Sequence, residues 1–125
     1  TKMAGVTTLN ADSTLTDDGG TYNRLKYTGA RTRVFHCGAT ISLTGPSNAD
    51  IEWTFGISKN GTHVTGSKTR LHSINLGDHY STAIHCFVKM ATNDYIEVEI
   101  QNNTNTTNVT IEDMNLFAIG LPNTV

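Results

Sequence analysis

Two histidine–cysteine dipeptides, His36-Cys37 and His85-Cys86, are the most chemically suggestive feature of this sequence. Each lies in a run of alternating apolar and polar residues, and neighbouring side chains of a β-strand point to opposite faces of the sheet. The two cysteines therefore share the apolar side of their strands, where they could form a disulfide or remain small core residues. The spacing matches neither a CxxC pair nor a zinc-finger set, so we assign no metal or cofactor site.

The other residues that could take part in catalysis or ligand binding favour a non-enzymatic protein. No Gly-x-Ser-x-Gly elbow or similar local signature accompanies the serines and histidines, so no catalytic residue is assigned. Asp17-Asp18 and Glu112-Asp113 could offer oxygen ligands to calcium, or could be exposed acids of loops and strand ends. Four Asn-x-Ser/Thr sequons arise either as glycosylation sites or simply from an Asn/Thr-rich composition; they begin at Asn60, Asn102, Asn105 and Asn108.

The aromatic residues divide into core and surface candidates. Trp53 alternates with Ile51, Phe55 and Ile57, which predicts core packing rather than a sugar-stacking platform. Contacts with an external ligand are better sought among the tyrosines, namely Tyr22, Tyr27, Tyr80 and Tyr95.

The elements that would position these residues are β-strands. Alternation with a period of two marks residues 32–43, 50–58, 81–90 and 95–100, and a long last strand covers 108–121 before Pro122. Turn residues separate these runs, and Asn60-Gly61 predicts a tight hairpin because a type I′ turn needs positive φ at both central positions. No stretch has a helical period. Six to nine strands in one chain of this length predict a β-sandwich of the jelly-roll type.

Composition limits the class of protein. The 125 residues suit a single domain, 1–125, in which residues 1–20 are expected to form an early strand and a loose connection. The start at Thr1 suggests a trimmed chain, a mature form or a fragment of a longer protein. Charged residues make up only 16%, and Thr, Asn, Ser and Gly fill the difference. The net charge of −2, with scattered basic residues, argues against a nucleic-acid partner. No apolar run is long enough for membrane insertion.

Four segments together resemble the jelly-roll trimers of the tumour necrosis factor and complement globular-head type, most of all the phage and viral heads of fibres and spikes. Strand 35–43 matches the family's central inner-sheet strand. The run 53–61 ends in the family's Lys-Asn-Gly turn. Segment 93–100 matches its "Gly-Asp, then alternating apolar" strand, with Asn93 in place of Gly. The last strand closes in Phe117-Ala118-Ile119-Gly120-Leu121.

This resemblance implies a homotrimer in which the strands of His36 and His85 are neighbours. Their outward side chains, with Phe87, would then pack against the other protomers. The histidines could ring the three-fold axis as a metal site or a pH-sensitive contact, or simply pack at the interface. The implied function is a virion structural domain of a head fibre, spike or tail-fibre tip, located at the virion surface or outside the cell. Its partners would be other virion proteins and a cell-surface glycan or protein receptor. The alternative is a carbohydrate-binding or receptor-ligand module of a secreted cellular protein.

Overall fold

The computed structural model describes residues 14–16 and 24–122, and the regular structure in these ranges is entirely β. The strands are β1 (Leu15–Thr16), β2 (Leu25–Tyr27), β3 (Arg33–Thr44), β4 (Ile51–Lys59), β5 (Thr62–His63), β6 (Thr69–Ser73), β7 (His79–Met90), β8 (Tyr95–Asn102) and β9 (Thr110–Gly120). The described ranges contain no helix, as the missing helical period predicted, and so none that could cross a membrane.

The strands form two antiparallel sheets, which confirms that part of the predicted architecture. The larger sheet has the order β1-β2-β8-β4-β5, with β6 also paired to β4, and the smaller has the order β7-β3-β9. The chain crosses from one sheet to the other between β2 and β3, β3 and β4, β6 and β7, β7 and β8, and β8 and β9. Strands close in sequence are therefore often in different sheets, and β3 lies between two strands that come much later.

The core lies between the facing sides of the two sheets, and the alternating residues fill it as predicted. From β3 it takes Phe35, Cys37, Ala39, Ile41 and Leu43, and from β4 Ile51, Trp53, Phe55 and Ile57. Trp53 is buried, as the alternation indicated. Its indole Nε1 donates a hydrogen bond to Oγ of Ser73 on β6 at 2.9 Å, so the polar atom of this large side chain is satisfied inside the core.

Non-glycine residues have positive backbone φ angles in two turns of the described ranges. Asn60 and Gly61 have φ of 52° and 82°, and Lys59 pairs with Thr62 on either side of them, so the tight hairpin predicted here is confirmed. Asn93 has φ of 73°. Asparagine tolerates the left-handed region better than most residues because its short side chain bonds locally, so it can occupy this position in the turn.

A β-bulge interrupts the pairing of β3 with β9. Ser42 pairs with Asp113, but Leu43 pairs with Ile111, so Glu112 is the extra residue. Because the bulge adds one residue to β9, side chains three positions apart across it can point to the same side of the sheet. Ile111 and Met114 therefore both face the core, whereas Phe117 and Ile119 are left on the outer face of the smaller sheet.

Candidate functional site

The outer face of the β7-β3-β9 sheet carries six contiguous uncharged side chains, which we call the aromatic face: Val34, His36, His85, Phe87, Phe117 and Ile119. Sequence reasoning found the three residues His36, His85 and Phe87. The same alternation places Val34 on this face, although it was not named there. Phe117 and Ile119 were missed because nothing local revealed the bulge in β9.

His36 lies at the centre of this face. In register it stands between Phe87 on β7 and Ile119 on β9. Its ring centroid lies 5.3 Å from that of Phe87, 5.5 Å from that of His85 and 5.7 Å from that of Phe117. The last two contacts are edge-to-face, the arrangement that aromatic quadrupoles favour. The neighbouring-strand position that the resemblance implied for the two histidines is thus found in the structure.

Gly38 makes room for the Phe117 ring. It lies between His85 and Phe117 in register, and a Cβ at this position would come within 2.5 Å of Cζ of Phe117. Because real Cβ atoms do not approach so closely, the ring can lie across β3 only where there is no side chain. The glycine thereby helps to bring aromatic groups from all three strands together.

The aromatic face is open to solvent and lacks charge. Phe87 is 64% and Ile119 is 59% exposed. The nearest charged residues lie beyond its two ends, with Lys89 beside Val34 and Asp113 beside Ser42. Contiguous exposed apolar groups of this kind mark interaction surfaces, since single exposed residues are common but clusters are not.

The outer face of the larger sheet is different, because its polar groups contact one another. Glu97 is only 1% exposed, with Nε of Arg24 3.9 Å from its carboxylate. Nδ1 of His63 lies 3.8 Å from Glu99. Ser58 separates Glu97 from His63 in register, so a serine, a histidine and two carboxylates meet here. Ser58 is fully buried, however, and so is not placed to meet a substrate.

The two cysteines are directly opposite in register, and both thiols are free. Of the two alternatives left by the sequence, the structure contains the core pair. Cys37 is fully buried and Cys86 is half-buried. Burial, and then the neighbouring Cys86, raise the pKa of the Cys37 thiol to about 12, and burial also raises the pKa of Cys86. Both groups are therefore protonated near neutral pH.

The tyrosines do not form an open binding surface in the described residues. The expectation for Tyr27 was wrong: it is 2% exposed and donates its hydroxyl to the carbonyl of Arg31 at 2.6 Å, because the short β2 points it into the core. Tyr80 is half-buried, and its hydroxyl accepts hydrogen bonds from the backbone N–H groups of Ile74 and Asn75. Tyr95 is covered by Arg24, whose Cζ lies 3.8 Å from the ring centroid. Tyr22 lies outside the described residues.

The acidic candidates form no metal site within the described residues, where no group of three or more potential ligands occurs. The bulge residue Glu112 instead accepts a hydrogen bond from Thr44, and its Oε1 lies 2.6 Å from Nδ1 of His79. Thr44 and then His79 hold the pKa of Glu112 below its ordinary value. Asp17-Asp18 lies outside the described ranges.

Two of the four sequons have their amide nitrogen engaged within the fold. Nδ2 of Asn60 donates to Asp94, and Nδ2 of Asn102 donates to Asn105 and to the carbonyl of Thr107. An N-linked sugar would compete with these bonds, so turn formation accounts for both asparagines.

Three loops meet at one end of the sandwich, and we call them the loop end: residues 45–50, 74–78 and 103–109. Gly45 donates to the carbonyl of Asp78, and Gly77 donates to that of Gly45. On the other side, Asn103 donates to the carbonyl of Glu52. The loop end is mainly polar, but Leu76 is 62% exposed and Ile74 is also exposed.

No protein-family model matches this chain, and no curated protein matches it in sequence.

Proposed function

We propose that this chain is a non-enzymatic, homotrimeric head domain that assembles through its aromatic face and presents its loop end to a receptor on a cell surface. A virion fibre, spike or tail-fibre tip is the setting that the sequence resemblance favours. The observation that carries the proposal is the cluster of His36, His85, Phe87, Phe117 and Ile119 on the open side of the smaller sheet.

Self-association is favoured because no Lys, Arg, Asp or Glu lies among His36, His85, Phe87, Phe117 and Ile119, and the nearest charge, on Lys89, lies at the margin beside Val34. A second copy of the same face can be laid against it without burying an unpaired charge, which would be costly. Each Å² of apolar surface removed from water contributes roughly 25 cal/mol, and Phe87 and Ile119 now expose most of their area. A partner of another kind would need its own matching uncharged surface.

A three-fold arrangement agrees with the shape of this sheet. Among the described residues, this sheet has three strands, which at a spacing of about 4.8 Å span about 10 Å between the outer two. A face so narrow suits copies that converge on one axis, whereas a flat dimer needs a broader contact. Strand connectivity also supports a jelly roll, because the chain crosses repeatedly between two antiparallel sheets and β9 returns to lie beside β3.

Light scattering at micromolar concentration tests the assembly. The wild type should have about three times the 13.6 kDa mass of one chain. Phe87→Glu and Ile119→Glu should both give monomers with an unchanged circular dichroism spectrum, because they place charge at the interface without touching the core. Leu76→Glu is the matched control, since it changes an equally exposed apolar residue outside the aromatic face and should remain trimeric. A wild type that is monomeric at this concentration contradicts the proposal.

Receptor attachment is tested separately with the same variants. The fluorescently labelled wild-type protein should bind host cells or a glycan array, and Leu76→Glu should lose binding while it stays trimeric. If binding needs no virion component and selects a defined glycan, the secreted carbohydrate-binding alternative is favoured. If Leu76→Glu binds as the wild type does, the loop end is not the attachment surface.

A further inference from the structure

The histidines of the aromatic face differ from the other three histidines of the chain. His63, His72 and His79 each face a carboxylate, with ring nitrogens 3.8, 2.7 and 2.6 Å from Glu99, Asp50 and Glu112. His36 and His85 make no ion pair or side-chain hydrogen bond to any described residue. Their polar ring atoms therefore have no partner that fixes them, although each ring is well placed by its strand.

The two rings stand close enough for one ion to join them. Their centroids are 5.5 Å apart and their planes meet at 88°. They occupy diagonal positions on neighbouring strands, because His36 pairs with Phe87 while His85 pairs with Gly38. Zinc–imidazole bonds are about 2.0–2.1 Å long. The contact is edge-to-face, so an ion between the rings can be bound by a nitrogen of each once one ring turns its edge towards the other by rotation about its side-chain bonds.

The ligand type and surroundings select a class of metal. Imidazole nitrogen suits zinc, copper and nickel, whereas calcium and magnesium require oxygen ligands. The walls of the site are Phe87 and Phe117, which offer no carboxylate to attract the harder cations. Two rigid strands hold the ligands, so the ordering cost of binding is small.

We propose that His36 and His85 form a two-imidazole binding site for a late transition-metal dication such as Zn²⁺, Ni²⁺ or Cu²⁺. In a single copy, water completes the coordination. In the assembled trimer, which is the part that rests on the proposed function, histidines of neighbouring copies take over some of these positions. The metal then links copies at the centre of the aromatic face.

Calorimetric titration of the full chain with ZnCl₂ or NiCl₂ in a non-chelating buffer tests the site. The wild type should bind, and His36→Gln and His85→Gln should each abolish binding, since each removes one of two ligands. His72→Gln is the control, because it removes an exposed imidazole beside two carboxylates and should leave binding intact.

A spectroscopic readout separates this site from loose surface binding. With one equivalent of Cu²⁺, the electron paramagnetic resonance spectrum should show coupling to two imidazole nitrogens in the wild type, and this coupling should be absent in His36→Gln and in His85→Gln. No metal binding at all, or binding lost only in His72→Gln, overturns the inference.

The inference and the proposed function can fail independently. A wild type that is trimeric in EDTA but binds no metal ion keeps the proposed assembly and overturns the metal site. A wild type that is monomeric with and without metal, yet binds it through His36 and His85, keeps the site and overturns the assembly. A monomer in EDTA that becomes a trimer on addition of Zn²⁺ supports both.

Discussion

The side-chain amide of Asn60 joins two turns by donating a hydrogen bond to Oδ1 of Asp94 at 2.8 Å. Its carbonyl oxygen in turn accepts one from the backbone N–H of Tyr95 at 3.0 Å. Asp94 also accepts from the N–H of Ala91, and its carboxylate lies 3.3 Å from Nζ of Lys59. The Lys-Asn-Gly turn after β4 is thus tied to the turn before β8, and the two strands leave these turns as neighbours.

Replacing Asp94 with Ala should lower the free energy of unfolding by about 1–3 kcal/mol, because two hydrogen bonds to a charged acceptor are lost. Chemical denaturation at pH 7 measures this difference. Asp113→Ala is the control, since that exposed carboxylate makes no hydrogen bond to a described residue, and it should change stability by less than about 0.5 kcal/mol. Equal losses in the two variants would contradict the role assigned to Asp94.

The effect should depend on pH in a definite direction. Burial alone would raise the pKa of Asp94, but hydrogen bonds from Asn60 and Ala91, with the nearby Lys59, lower it below its ordinary value of 3.8. A carboxyl with a lowered folded pKa stabilises the fold above its unfolded pKa, and this contribution is lost as pH falls through the folded value. The difference between wild type and Asp94→Ala should therefore shrink below about pH 4.

The sequence revealed the long strands better than the short ones. The runs around Phe35, Trp53 and Val98 alternate over enough residues for the inward face to be read directly, and all three face the core. β2 and β6 were not recognised, because three to five residues cannot display a period. Tyr27 was misassigned to the surface for this reason, as its three-residue strand gives no sign of which side is inward.

The Trp53–Ser73 hydrogen bond should be measurable as a coupling between two core positions. Ser73→Ala leaves the buried indole N–H without its acceptor and should cost about 1–3 kcal/mol. In a Trp53→Phe background the same change should cost much less, because the donor is gone. Urea denaturation of the wild type, Ser73→Ala, Trp53→Phe and the double variant gives the coupling energy between the two positions. For comparison, Trp53→Ala should cost about 3–5 kcal/mol. Additive effects of the two substitutions would show that the hydrogen bond contributes nothing.

The pKa of His72 should lie above the ordinary histidine value of 6.5. The hydrogen bond to Asp50 raises its pKa most, and the charge of Glu52 adds to this. Nuclear magnetic resonance of the ring proton should show the raised pKa in the wild type. Asp50→Asn should bring it down, and Asp113→Asn should leave it unchanged. A titration at or below 6.5, or no response to Asp50→Asn, would be the contrary result.

Because the pKa of His72 is raised in the folded protein, the free energy of unfolding should depend on pH. A histidine with a raised folded pKa stabilises the fold fully below its unfolded pKa, and the contribution is lost as pH rises through the folded value. Stability from the His72–Asp50 pair should therefore fall above pH 6.5, while Asp50→Asn should show a flatter profile in that range.

Gly38→Ala should destabilise the protein through Phe117. The added methyl group meets the Phe117 ring and should cost about 1–3 kcal/mol, the usual range for overpacking. In a Phe117→Ala background most of that cost should disappear, because the ring that it displaces is absent. Thermal unfolding of the two single variants and the double variant measures this. An undiminished cost in the double variant would locate the clash elsewhere.

The aromatic face itself was only half predictable. His36, His85 and Phe87 follow from alternation within two strands. Phe117 and Ile119 depend on the bulge at Glu112, and bulges leave no reliable local mark because they are set by the register between strands distant in sequence. Sequence periodicity can therefore show which side chains point away from the core, but not which of them lie next to one another on the outer surface.

Cys37 and Cys86 lie opposite each other on neighbouring strands, so the rates at which their thiols are labelled can report on opening of the structure. Cys86 lies on β7, at one edge of the smaller sheet, whereas Cys37 lies on the central strand and is fully buried. An alkylating reagent can reach Cys86 when β7 peels away, but can reach Cys37 only when the two sheets separate. Burial raises the pKa of both thiols, so the reactive thiolate is scarcer in the closed state than in an opened one. Two labelling rates on one chain would thus distinguish fraying of an edge strand from opening of the whole sandwich.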